Sequence, residues 1–457
     1  MSAEVVIAGA GPGGMAAAIE AARGGASVLV VEARSEIGGN AARSTGYMAF
    51  LDSDLQRDAG IEDSEELFLA DLRKEVDYQS ERYGLFYDEE LARTVVRGST
   101  GVYSLLRELG IGFNRFIPRP LQHSVDRMVD VDDVSHFRTS FEPEFARLGI
   151  EVMYNARAER LIVEDGRVAG IAVRTNAGDG DAAQQHRGEV QDLRAGAVIL
   201  ATGGYQANPA LRQHYQPAFL AGGPYLGIDT ARGDGHLMGQ TVGGELINMT
   251  MIPPLVMVGS ALVEDCIAVN LKGRRFHDEA GTYDDRVAAL LAQPEKRAYY
   301  LCDGRTARAK DHLIEQMPGQ PVSAASIAEL AAGIGCPPDA LQQTVEEWNQ
   351  LVASGAERDP AFGRIVFPAE RTGLTDAPFL AMPMVIGANF PAGGFRVTPS
   401  LEVRDVFGAV IPRLFAVGDC VGGVNPASGL GGMHILGAMT LGRIGGRSAA
   451  RLVGKAV

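Results

Sequence analysis

The stretch Glu4-Val-Val-Ile-Ala-Gly9-Ala-Gly11-Pro-Gly13-Gly14 begins with a β-branched run and continues at once into the pattern Gly9-x-Gly11-x-x-Gly14. Such a run is typical of a buried parallel strand, and Met15 to Arg23 has the Ala-rich composition of a helix. Between a strand and a helix, these glycines permit a tight turn, close approach of the backbone to a pyrophosphate, and close helix–strand packing. The helix N-terminus adds free N–H groups and the positive end of its dipole. The stretch therefore predicts a dinucleotide-binding turn.

A second apolar strand, Ser27 to Val31, ends at Glu32, about 20 residues after the glycines, where an acid can accept hydrogen bonds from a ribose hydroxyl. The loop Ile37 to Tyr47, rich in glycine and small hydroxyl residues, is predicted to form a wall of the cofactor site. Strand, glycines, helix, strand and acid in this order indicate an α/β dinucleotide-binding domain. In this part of the chain the predicted cofactor-binding residues are Gly9, Gly11, Gly13, Gly14, Glu32, Ala33, Gly39, Asn40, Ser44, Thr45 and Gly46.

The composition is that of an ordinary globular protein with an acidic balance. The 457 residues carry a formal net charge of −15, which argues against nucleic acid or an anionic membrane surface as a partner. The four cysteines are far apart and lack metal-ligand spacing, so we expect free thiols, no metal site and a reducing compartment. With no room for a signal peptide before the first strand and no long apolar run, the sequence predicts a cytoplasmic protein without a membrane span.

Further cofactor signals lie beyond residue 196. A buried strand ends in Ala201-Thr202-Gly203, and another, Leu414 to Val417, ends in Gly418-Asp419, where the acid is placed to bond a ribityl chain. Gly429 to Gly432 precedes a Gly/Ala-rich helix whose N-terminus can face a ring system. The predicted cofactor-binding residues here are Ala201, Thr202, Gly203, Asp234, Gly418, Asp419, Gly431 and Gly432.

Between these two sets of signals the pattern changes. Strands and helices alternate irregularly from about residue 238 to 356. The fold class predicted from this arrangement is α/β, with a Rossmann-like domain made of two non-contiguous segments, residues 1–237 and 357–457. An α+β capping domain, residues 238–356, is inserted between them.

Several motifs in order carry a resemblance to a known family. They are Gly9 to Gly14 with Glu32, Gly38-Gly39-Asn40, Ala201-Thr202-Gly203-Gly204, Gly233-Asp234-Gly235, Lys272 to Glu279, Ala416-Val417-Gly418-Asp419 and Gly429 to Gly432. Along essentially its whole length the chain resembles the fumarate reductase/succinate dehydrogenase flavoprotein family. The resemblance implies FAD bound by the two outer segments, a capping domain between them, and a substrate between the domains against the flavin ring.

The departures from that family concern its cationic substrate anchors. Where fumarate reductases present histidines and arginines, this chain has Ile252, Asn389-Phe390, Gly429 and Tyr283. A dicarboxylate needs several fixed cations to offset its desolvation, so we do not expect fumarate or succinate as the substrate. The segment Ala41 to Tyr47 lacks the His that carries covalent FAD in respiratory members, which predicts noncovalent FAD.

The segment Glu279-Ala-Gly-Thr-Tyr283 instead resembles the 3-ketosteroid dehydrogenase branch. In that branch a Tyr at the place of Tyr283 takes a proton or hydrogen from the substrate, and a Tyr and a Gly polarise the ketone. Here Gly432 keeps the Gly and Ser428 replaces the Tyr, so Tyr283, Ser428 and Gly432 are the predicted catalytic residues. Tyr283 could also be an ordinary core residue of the cap.

Because a free Tyr has a pKa of about 10, Tyr283 serves as an acid, or as a base once neighbouring positive charge lowers that pKa. Arg274, Arg275 and Arg286 are close enough in sequence to supply such a charge.

The leading hypothesis is a flavin-dependent α,β-desaturase acting on a cyclic or apolar carbonyl compound. The alternatives are an ene-reductase working in reverse, an amine- or alcohol-oxidising flavoenzyme, and a non-catalytic FAD-binding protein. Since no second Gly-x-Gly-x-x-Gly occurs in a βαβ setting, electrons are expected to pass to or from an external acceptor or donor.

Overall fold

The computed structural model describes residues 2–117, 119, 122–175, 188–216, 223–225, 227–252, 254–258, 260–315, 317–388, 391–424 and 430–454. The chain divides into two compact units. Unit 1 comprises Met1–Ala221, Gly227–Pro253 and Phe390–Val457, and unit 2 comprises Gly222–Leu226 and Pro254–Asn389.

The strands are β1 (Ser2–Ala8), β2 (Val28–Val31), β3 (Tyr47–Ala49), β4 (Phe113–Phe116), β5 (Met128–Val131), β6 (Glu151–Met153), β7 (Ala156–Glu164), β8 (Arg167–Thr175), β9 (Val190–Leu200), β10 (Leu246–Ile247), β11 (Pro254–Val256), β12 (Ile267–Asn270), β13 (Ala298–Cys302), β14 (Val322–Ala324), β15 (Phe379–Pro383), β16 (Ile386–Ala388), β17 (Gly394–Phe395), β18 (Glu402–Arg404) and β19 (Val410–Ala416). The α-helices are α1 (Pro12–Arg23), α2 (Asp54–Asp58), α3 (Glu65–Tyr83), α4 (Glu89–Glu108), α5 (His136–Thr139), α6 (Phe141–Leu148), α7 (Pro209–Tyr215), α8 (Asp234–Gln240), α9 (Ser260–Val263), α10 (Tyr283–Leu291), α11 (Gly304–Ala309), α12 (Asp311–Ile314), α13 (Ile327–Ile334), α14 (Pro338–Ala353) and α15 (Met433–Leu452). In the described ranges, none of these helices combines the length and the apolar character needed to cross a membrane.

Unit 1 is built on a sheet in which β19, β9, β1, β2 and β6 lie side by side and run parallel. The register pairs Ala8 with both Val31 and Leu200, and Leu200 with Ala416, so four strands end in one row. The hairpin β7–β8 joins the first half of β9, and β18 closes the other edge next to β19, both antiparallel. β2 is buried along its whole length, as expected of a parallel sheet covered on both faces.

Glycines on α15 allow this helix to lie directly against α1. A Cβ at Gly442 would come within 2.2 Å of the carbonyl oxygen of Gly13, and one at Gly446 within 2.2 Å of that of Ala17. Larger residues would force the two helices apart, because ordinary interaxial distances of about 8–10 Å depend on the side chains at the contact. The pairing of small residues on the two helices therefore fixes their close crossing under the sheet.

Unit 2 centres on an antiparallel sheet in the order β12-β13-β15-β14, with the pair β11–β16 beside it. Trp348 on α14 is buried in the core of this unit and stacks against Phe367 at a ring distance of 5.8 Å. Helix α14 runs from Pro338 to Ala353, with proline at its first position, where its missing N–H costs nothing.

The boundary between the units differs from the predicted one at both ends. β10 pairs with β17, so residues 238–253, predicted to be part of the cap, belong to unit 1. β15 lies between β13 and β14, so residues 357–389, predicted to be part of the cofactor domain, belong to unit 2. Short antiparallel strands that pair across long sequence distances leave no local periodic signal, which is why the sequence placed these residues differently.

Candidate cofactor and active site

The parallel strands of unit 1 bring several predicted cofactor residues to one edge of the sheet. Because β1, β2, β9 and β19 end in one row, the residues that follow them in the chain begin together at the carboxyl edge. These residues are Gly9, Glu32, Ala201-Thr202-Gly203 and Gly418-Asp419. Ligands of open α/β sheets bind at this edge, so the topology assembles the predicted site from four distant parts of the sequence.

The glycines of the first turn have different reasons for lacking a side chain. At Gly9, where φ is +104°, a Cβ would lie 2.3 Å from the carbonyl oxygen of Ala201, and at Gly14 it would lie 2.0 Å from that of Gly9. At Gly11 a Cβ would meet no heavy atom within 4 Å. Gly9 and Gly14 are therefore required by packing within the protein, whereas Gly11 borders open space that a phosphate group fits.

Glu32 is held at the end of β2 by backbone donors. Its two carboxylate oxygens accept hydrogen bonds from the N–H groups of Ala10 at 2.7 Å and Arg34 at 2.9 Å. Burial raises the pKa of Glu32, and these N–H donors oppose the rise. Each oxygen keeps a lone pair, and the contact of Glu32 with a ribose hydroxyl stays a prediction. Ala33 beside it is only partly buried.

Asp419 lies on a short 3-10 turn, Gly418–Cys420, directly after β19. Burial raises the pKa of its carboxyl group to about 6. No residue in the described ranges donates a hydrogen bond to this carboxylate. A poorly hydrated carboxylate that the protein leaves unpaired suits a ligand with hydroxyl groups, and the ribityl chain of a flavin carries such groups.

Other predicted cofactor residues use their side chains within the protein. The Asn40 side-chain oxygen accepts from the N–H of Ile228 at 2.9 Å, and the Thr202 hydroxyl accepts from the N–H of Gly235 at 2.9 Å. Ser44 donates to the carbonyl of Ala41 at 2.9 Å. These contacts hold the loops at the carboxyl edge and leave the backbone of those loops for the cofactor.

Asp234 has a different partner from the one predicted. Arg157 on β7 binds both of its carboxylate oxygens, at 2.6 and 2.9 Å. This bidentate pair fastens the first turn of α8 to the hairpin β7–β8. Asp234 therefore has a partner within unit 1, and its contact with the cofactor stays a prediction.

The remaining predicted cofactor residues are positioned by close backbone packing. A Cβ at Gly46 would lie 2.3 Å from a Val131 methyl carbon, and one at Gly39 would lie 2.9 Å from the Cα of Gly11. At Gly203, as at Gly11, a Cβ would meet open space. Thr45 is partly buried between these loops.

The segment before α15 is anchored by two side chains that the sequence gave no reason to assign. The N–H of Gly431 donates to the Gln122 side-chain oxygen at 3.1 Å, and its carbonyl lies 2.9 Å from Nε2 of His123. The carbonyl of Gly432 accepts from the N–H of Ala49 at 3.1 Å. These contacts fix both glycines at the start of a helix whose N-terminus is predicted to face the flavin.

A buried arginine determines the protonation of His123. Arg127 can only donate, and its guanidinium lies 3.2 Å from Nδ1 of His123, so Nε2 carries the proton and donates to Gly431. Burial and the charge of Arg127 lower the pKa of His123 to about 4. Asp63 and Asp71 pair with Arg127 in turn. From the sequence alone, a single His is more often a structural residue than a catalyst, so no role was predicted for His123.

In unit 2 the motif that precedes Tyr283 forms a buried ionic network. The carboxylate of Glu279 accepts from Arg275 at 2.7 and 2.8 Å, from Arg364 at 2.8 Å, and from the N–H of Ala268 at 3.0 Å. Burial acts to raise the pKa of Glu279, but Arg364 and Arg275 together lower it to about 2. Arg275 also pairs with Asp359 at 2.9 Å. The network holds the segment that leads to Tyr283.

Tyr283 is the first residue of α10 and is only partly buried. Thr282 caps the helix by accepting from the N–H of Asp285 at 3.2 Å. Of the three arginines predicted near Tyr283, Arg286 lies over its ring at 4.8 Å, whereas Arg275 pairs with Glu279 and Arg274 donates to Gln343. No residue in the described part of the chain hydrogen-bonds to the Tyr283 hydroxyl.

The other residues at the predicted substrate positions are less informative. Ile252, predicted to stand where fumarate reductases have a His, is buried in unit 1. Ser428, Gly429 and Asn389-Phe390 lie outside the described residues. The predicted pairing of Ser428 with Gly432 around a carbonyl oxygen therefore stays a prediction.

A family model described as "FAD binding domain" matches residues 4–435. The chain therefore belongs to this family, and it is an FAD-dependent oxidoreductase with the flavoprotein fold that the sequence predicted. The open space at Gly11 and the carboxylate of Asp419, to which no described residue donates, fit that cofactor.

The curated relatives and solved structures point to the same family. The chain is 29% identical over 465 residues to the NADH:fumarate oxidoreductase of Klebsiella pneumoniae strain 342, across 98% of this chain and 48% of that protein. It thus spans about half the length of that relative.

Two solved structures are similar over nearly the whole chain. A flavocytochrome c3 fumarate reductase in its open conformation has a TM-score of 0.78 and 27% identity, covering 99% of this chain and 79% of that one. A 3-ketosteroid-Δ4-(5α)-dehydrogenase from Rhodococcus jostii RHA1, in complex with 4-androstene-3,17-dione, has a TM-score of 0.68 and 27% identity, covering 98% and 97%. The resemblance to fumarate reductases and ketosteroid dehydrogenases is thereby confirmed.

Proposed function

We propose that the protein desaturates a carbonyl compound between its α and β carbons, with FAD as the hydride acceptor. The proposal is supported by family membership and by its similarity to proteins named for reactions at CH–CH or C=C bonds. FAD, when bound, supplies the hydride chemistry. The chain must then supply the groups that hold the cofactor, move the proton and polarise the carbonyl.

The observation that carries this proposal is the environment of Tyr283. The residue is only partly buried, no described residue hydrogen-bonds to its hydroxyl, and its ring lies against the guanidinium of Arg286 at 4.8 Å. A hydroxyl to which no described residue is bonded is available to a substrate carbon. We assign Tyr283 the proton transfer at the carbon next to the carbonyl.

Carbonyl polarisation falls to the segment before α15. The N–H of Gly432 and the hydroxyl of Ser428 are the donors we propose for the developing oxyanion. The contacts of Gly431 with Gln122 and His123 support this assignment, because a donor that stabilises charge in a transition state works best when it is held rigidly.

The proposal assigns a separate role to each of the two units. Unit 1 holds FAD, with Glu32 on the ribose and Asp419 on the ribityl chain, and unit 2 is the cap that carries Tyr283. The linkage to FAD is noncovalent, and electrons leave to an external acceptor. A cytoplasmic location is part of the same proposal.

The reverse reaction, reduction of an activated C=C bond, is the second candidate. The names of two relatives, an NADH:fumarate oxidoreductase and a flavocytochrome c3 fumarate reductase, favour it. The same residues would serve, with Tyr283 donating the proton instead of accepting it.

An anaerobic spectral titration of the purified flavoprotein separates these functions. Bleaching of the flavin absorbance by a saturated cyclic ketone supports desaturation. Reoxidation of chemically reduced flavin by the corresponding enone, without bleaching by the ketone, supports the ene-reductase. Bleaching only by amines or alcohols would overturn both candidates in favour of an amine- or alcohol-oxidising enzyme. A flavin that reacts with none of these compounds would overturn both in favour of a non-catalytic protein.

A further inference from the structure

The peptide group that joins Gly431 to Gly432 in unit 1 has one hydrogen-bonded end and one open end among the described residues. The carbonyl oxygen of Gly431 accepts from Nε2 of His123 at 2.9 Å. The N–H of Gly432 donates to no residue in the described part of the chain, although Gly432 is buried. Buried backbone N–H groups without an acceptor are rare in native structures, so this N–H is a candidate donor to a ligand.

The geometry of the peptide group links these two ends. The bond between Gly431 and Gly432 is trans, so its C=O and N–H lie in one plane and point in opposite directions. Because His123 holds the C=O, it also sets the direction in which the N–H of Gly432 points. The His123 side chain can do this reliably because the residue is only 4% exposed and is enclosed by the protein.

The plane of this peptide group can turn unless a contact holds it. A glycine on each side gives little steric resistance to such a rotation. The neighbouring peptide groups are held separately, since the N–H of Gly431 donates to Gln122 at 3.1 Å and the carbonyl of Gly432 accepts from Ala49 at 3.1 Å. Within the described ranges, His123 is the residue that hydrogen-bonds to the Gly431–Gly432 peptide group itself. The contact with His123 therefore fixes this plane.

Arg127 both orients His123 and polarises it. Its guanidinium donates to Nδ1 of His123 at 3.2 Å, which keeps the ring proton on Nε2. Arg127 is itself fully buried, paired with Asp63 and Asp71, and stacked over the ring of Phe68 at 4.4 Å. Hydrogen bonds that follow one another in a chain polarise one another. The charge of Arg127 therefore strengthens the bond from His123 to the carbonyl and makes the N–H at the far end of the peptide group a better donor.

We propose that His123 is a positioning residue for the reaction: through the Gly431–Gly432 peptide group it aims the N–H of Gly432 at the carbonyl oxygen of the substrate. The inference rests on the proposed function, in which that N–H polarises the carbonyl. It goes further by naming the side chain that sets the direction and the strength of the donor. His123 acts through the peptide group and does not itself contact the substrate.

This role has a definite kinetic signature. Negative charge builds up on the carbonyl oxygen in the transition state, so a fixed donor contributes more there than in the substrate complex. Loss of the His123 donor should therefore lower the rate of flavin reduction much more than it weakens the binding of a ketone. A residue that only maintains the fold would affect binding, FAD content and the rate together.

The first experiment detects the coupling directly and needs no substrate. Deuterated holoenzyme that contains glycine labelled with ¹³C at the carbonyl and with ¹⁵N gives NMR signals from peptide groups between two glycines. The Gly431–Gly432 signal is assigned by its loss in Gly431→Ala. It should shift or double in His123→Phe, which keeps a ring but lacks the donor. It should stay in place in His312→Phe, which changes an exposed histidine of unit 2.

The second experiment is anaerobic stopped-flow spectroscopy of the holoenzyme, with cyclohexanone for the oxidised flavin and 2-cyclohexen-1-one for the reduced flavin. In His123→Phe the limiting rate should fall about 10–100-fold, because the donor is misdirected but still present, and the apparent Kd of the probe should stay within about threefold. His123→Gln has a side-chain amide that can donate to the same carbonyl and should stay within about fivefold of the wild-type rate. His312→Phe should react at the wild-type rate.

The two experiments separate this inference from the proposed function. An unmoved Gly431–Gly432 signal in His123→Phe, a wild-type rate in that variant, or equal slowing in His123→Phe and His123→Gln would overturn the role of His123 and leave the desaturase proposal standing. A signal that follows the His123 donor, in a protein whose flavin reacts with neither probe, would support the positioning of the peptide group and count against the desaturase chemistry alone.

A measurement on the wild-type protein covers the case in which His123→Phe does not fold. NMR of holoenzyme labelled with ¹⁵N in its histidine rings should show His123 neutral at pH 7, with the proton on Nε2, because Arg127 occupies Nδ1. A proton on Nδ1 would overturn the proposal, since Nε2 could not then donate to the carbonyl of Gly431.

Discussion

Arg364 donates a hydrogen bond to the carboxylate of Glu279 at 2.8 Å, and neither side chain is exposed to solvent. The two residues are 85 positions apart in the chain. Arg364 also donates to the backbone carbonyls of Val263, Glu264 and Cys266, so one guanidinium ties the segment before β12 to the motif that leads to Tyr283. This relationship makes residues near 364 part of unit 2.

Substitution Glu279→Gln should destabilise the protein by about 3–5 kcal/mol, because it leaves two buried guanidinium groups without their shared anion. Urea denaturation followed by circular dichroism measures the change. Glu370→Gln, at an exposed carboxylate 3.9 Å from Arg305, is the matched control and should stay within about 0.5 kcal/mol of wild type. An unfolding midpoint for Glu279→Gln equal to that of the control would contradict the network.

The pH dependence of the same group has a definite sign. The folded-state pKa of Glu279, about 2, lies below its ordinary value of 4.5. The stabilisation is therefore present above pH 4.5 and is lost as the pH falls towards 2, an effect of about 3 kcal/mol. Glu279→Gln should lack this part of the acid sensitivity.

Substitution Asp419→Asn should have opposite effects on stability and on cofactor binding. Because the folded-state pKa of Asp419, about 6, exceeds its ordinary value of 3.8, the folded state binds more protons in this window, and its stability falls as the pH rises. At pH 7 the FAD-free variant should therefore be more stable than FAD-free wild type, by about 1–3 kcal/mol. Affinity for FAD should fall about tenfold or more, since a charged acceptor for the ribityl hydroxyls is lost.

Thermal melts of FAD-free protein at pH 4 and pH 7, with fluorescence titration of FAD, measure both effects. The difference in melting temperature between variant and wild type should be larger at pH 7 than at pH 4. If Asp419→Asn binds FAD as tightly as the wild-type protein does, Asp419 has no role in binding the cofactor.

Substitution Tyr283→Phe should slow the chemical step by about 10²–10⁴-fold, the usual share of a general acid–base group. FAD content and fold should barely change, because only the hydroxyl oxygen of a partly buried residue is removed. Anaerobic stopped-flow reduction of the flavin measures the step. Tyr299→Phe, in which the lost hydroxyl accepts from Arg297 at 3.0 Å, is the control and should react at the wild-type rate. If Tyr283→Phe reduces its flavin at the wild-type rate, a group other than Tyr283 transfers the proton.

Purified protein should be yellow and should release its flavin on acid precipitation. The expectation of noncovalent FAD rests on the segment Ala41 to Tyr47, which lacks a His. The absorbance of supernatant and pellet after precipitation measures it. Flavin that stays with the pellet would reveal a covalent bond.

Fumarate and succinate should be poor substrates, with kcat/KM at least about 10³-fold below that of the best carbonyl substrate, because each missing charged contact costs about 1.5–3 kcal/mol. Ile252 is buried and uncharged at one anchor position, and Tyr283 occupies another. Steady-state assays with an artificial electron donor or acceptor measure both directions. Efficient turnover of either diacid would show that other residues of the chain supply the cations.

The local sequence was sufficient to predict the first glycine-rich turn and the strands and helix beside it. A β-branched run, the spacing of Gly9, Gly11 and Gly14, and an acid at the end of β2 are all short-range features. Because each depends only on residues close in the chain, the strand, the turn, the helix and Glu32 could be predicted from the sequence. Helix α14 was predictable for the same reason.

The unit boundaries could not be predicted in this way. They depend on the pairing of β10 with β17 and of β13 with β15, strands that are short and distant in the chain. The pairing of Asp234 with Arg157 could not be predicted either, because Arg157 lies on a hairpin 77 residues earlier in the chain.

The sequence by itself determined the class of this protein, an FAD-dependent oxidoreductase with a Rossmann-like core. It could do so because the motifs of that class are short stretches of neighbouring residues. The tertiary structure decided which side chains are paired. It placed His123 against Gly431, 308 positions away, and paired Glu279 with Arg275 and Arg364. Charge pairing depends on distances between parts of the chain that only the fold brings together, and no spacing in the sequence records those distances.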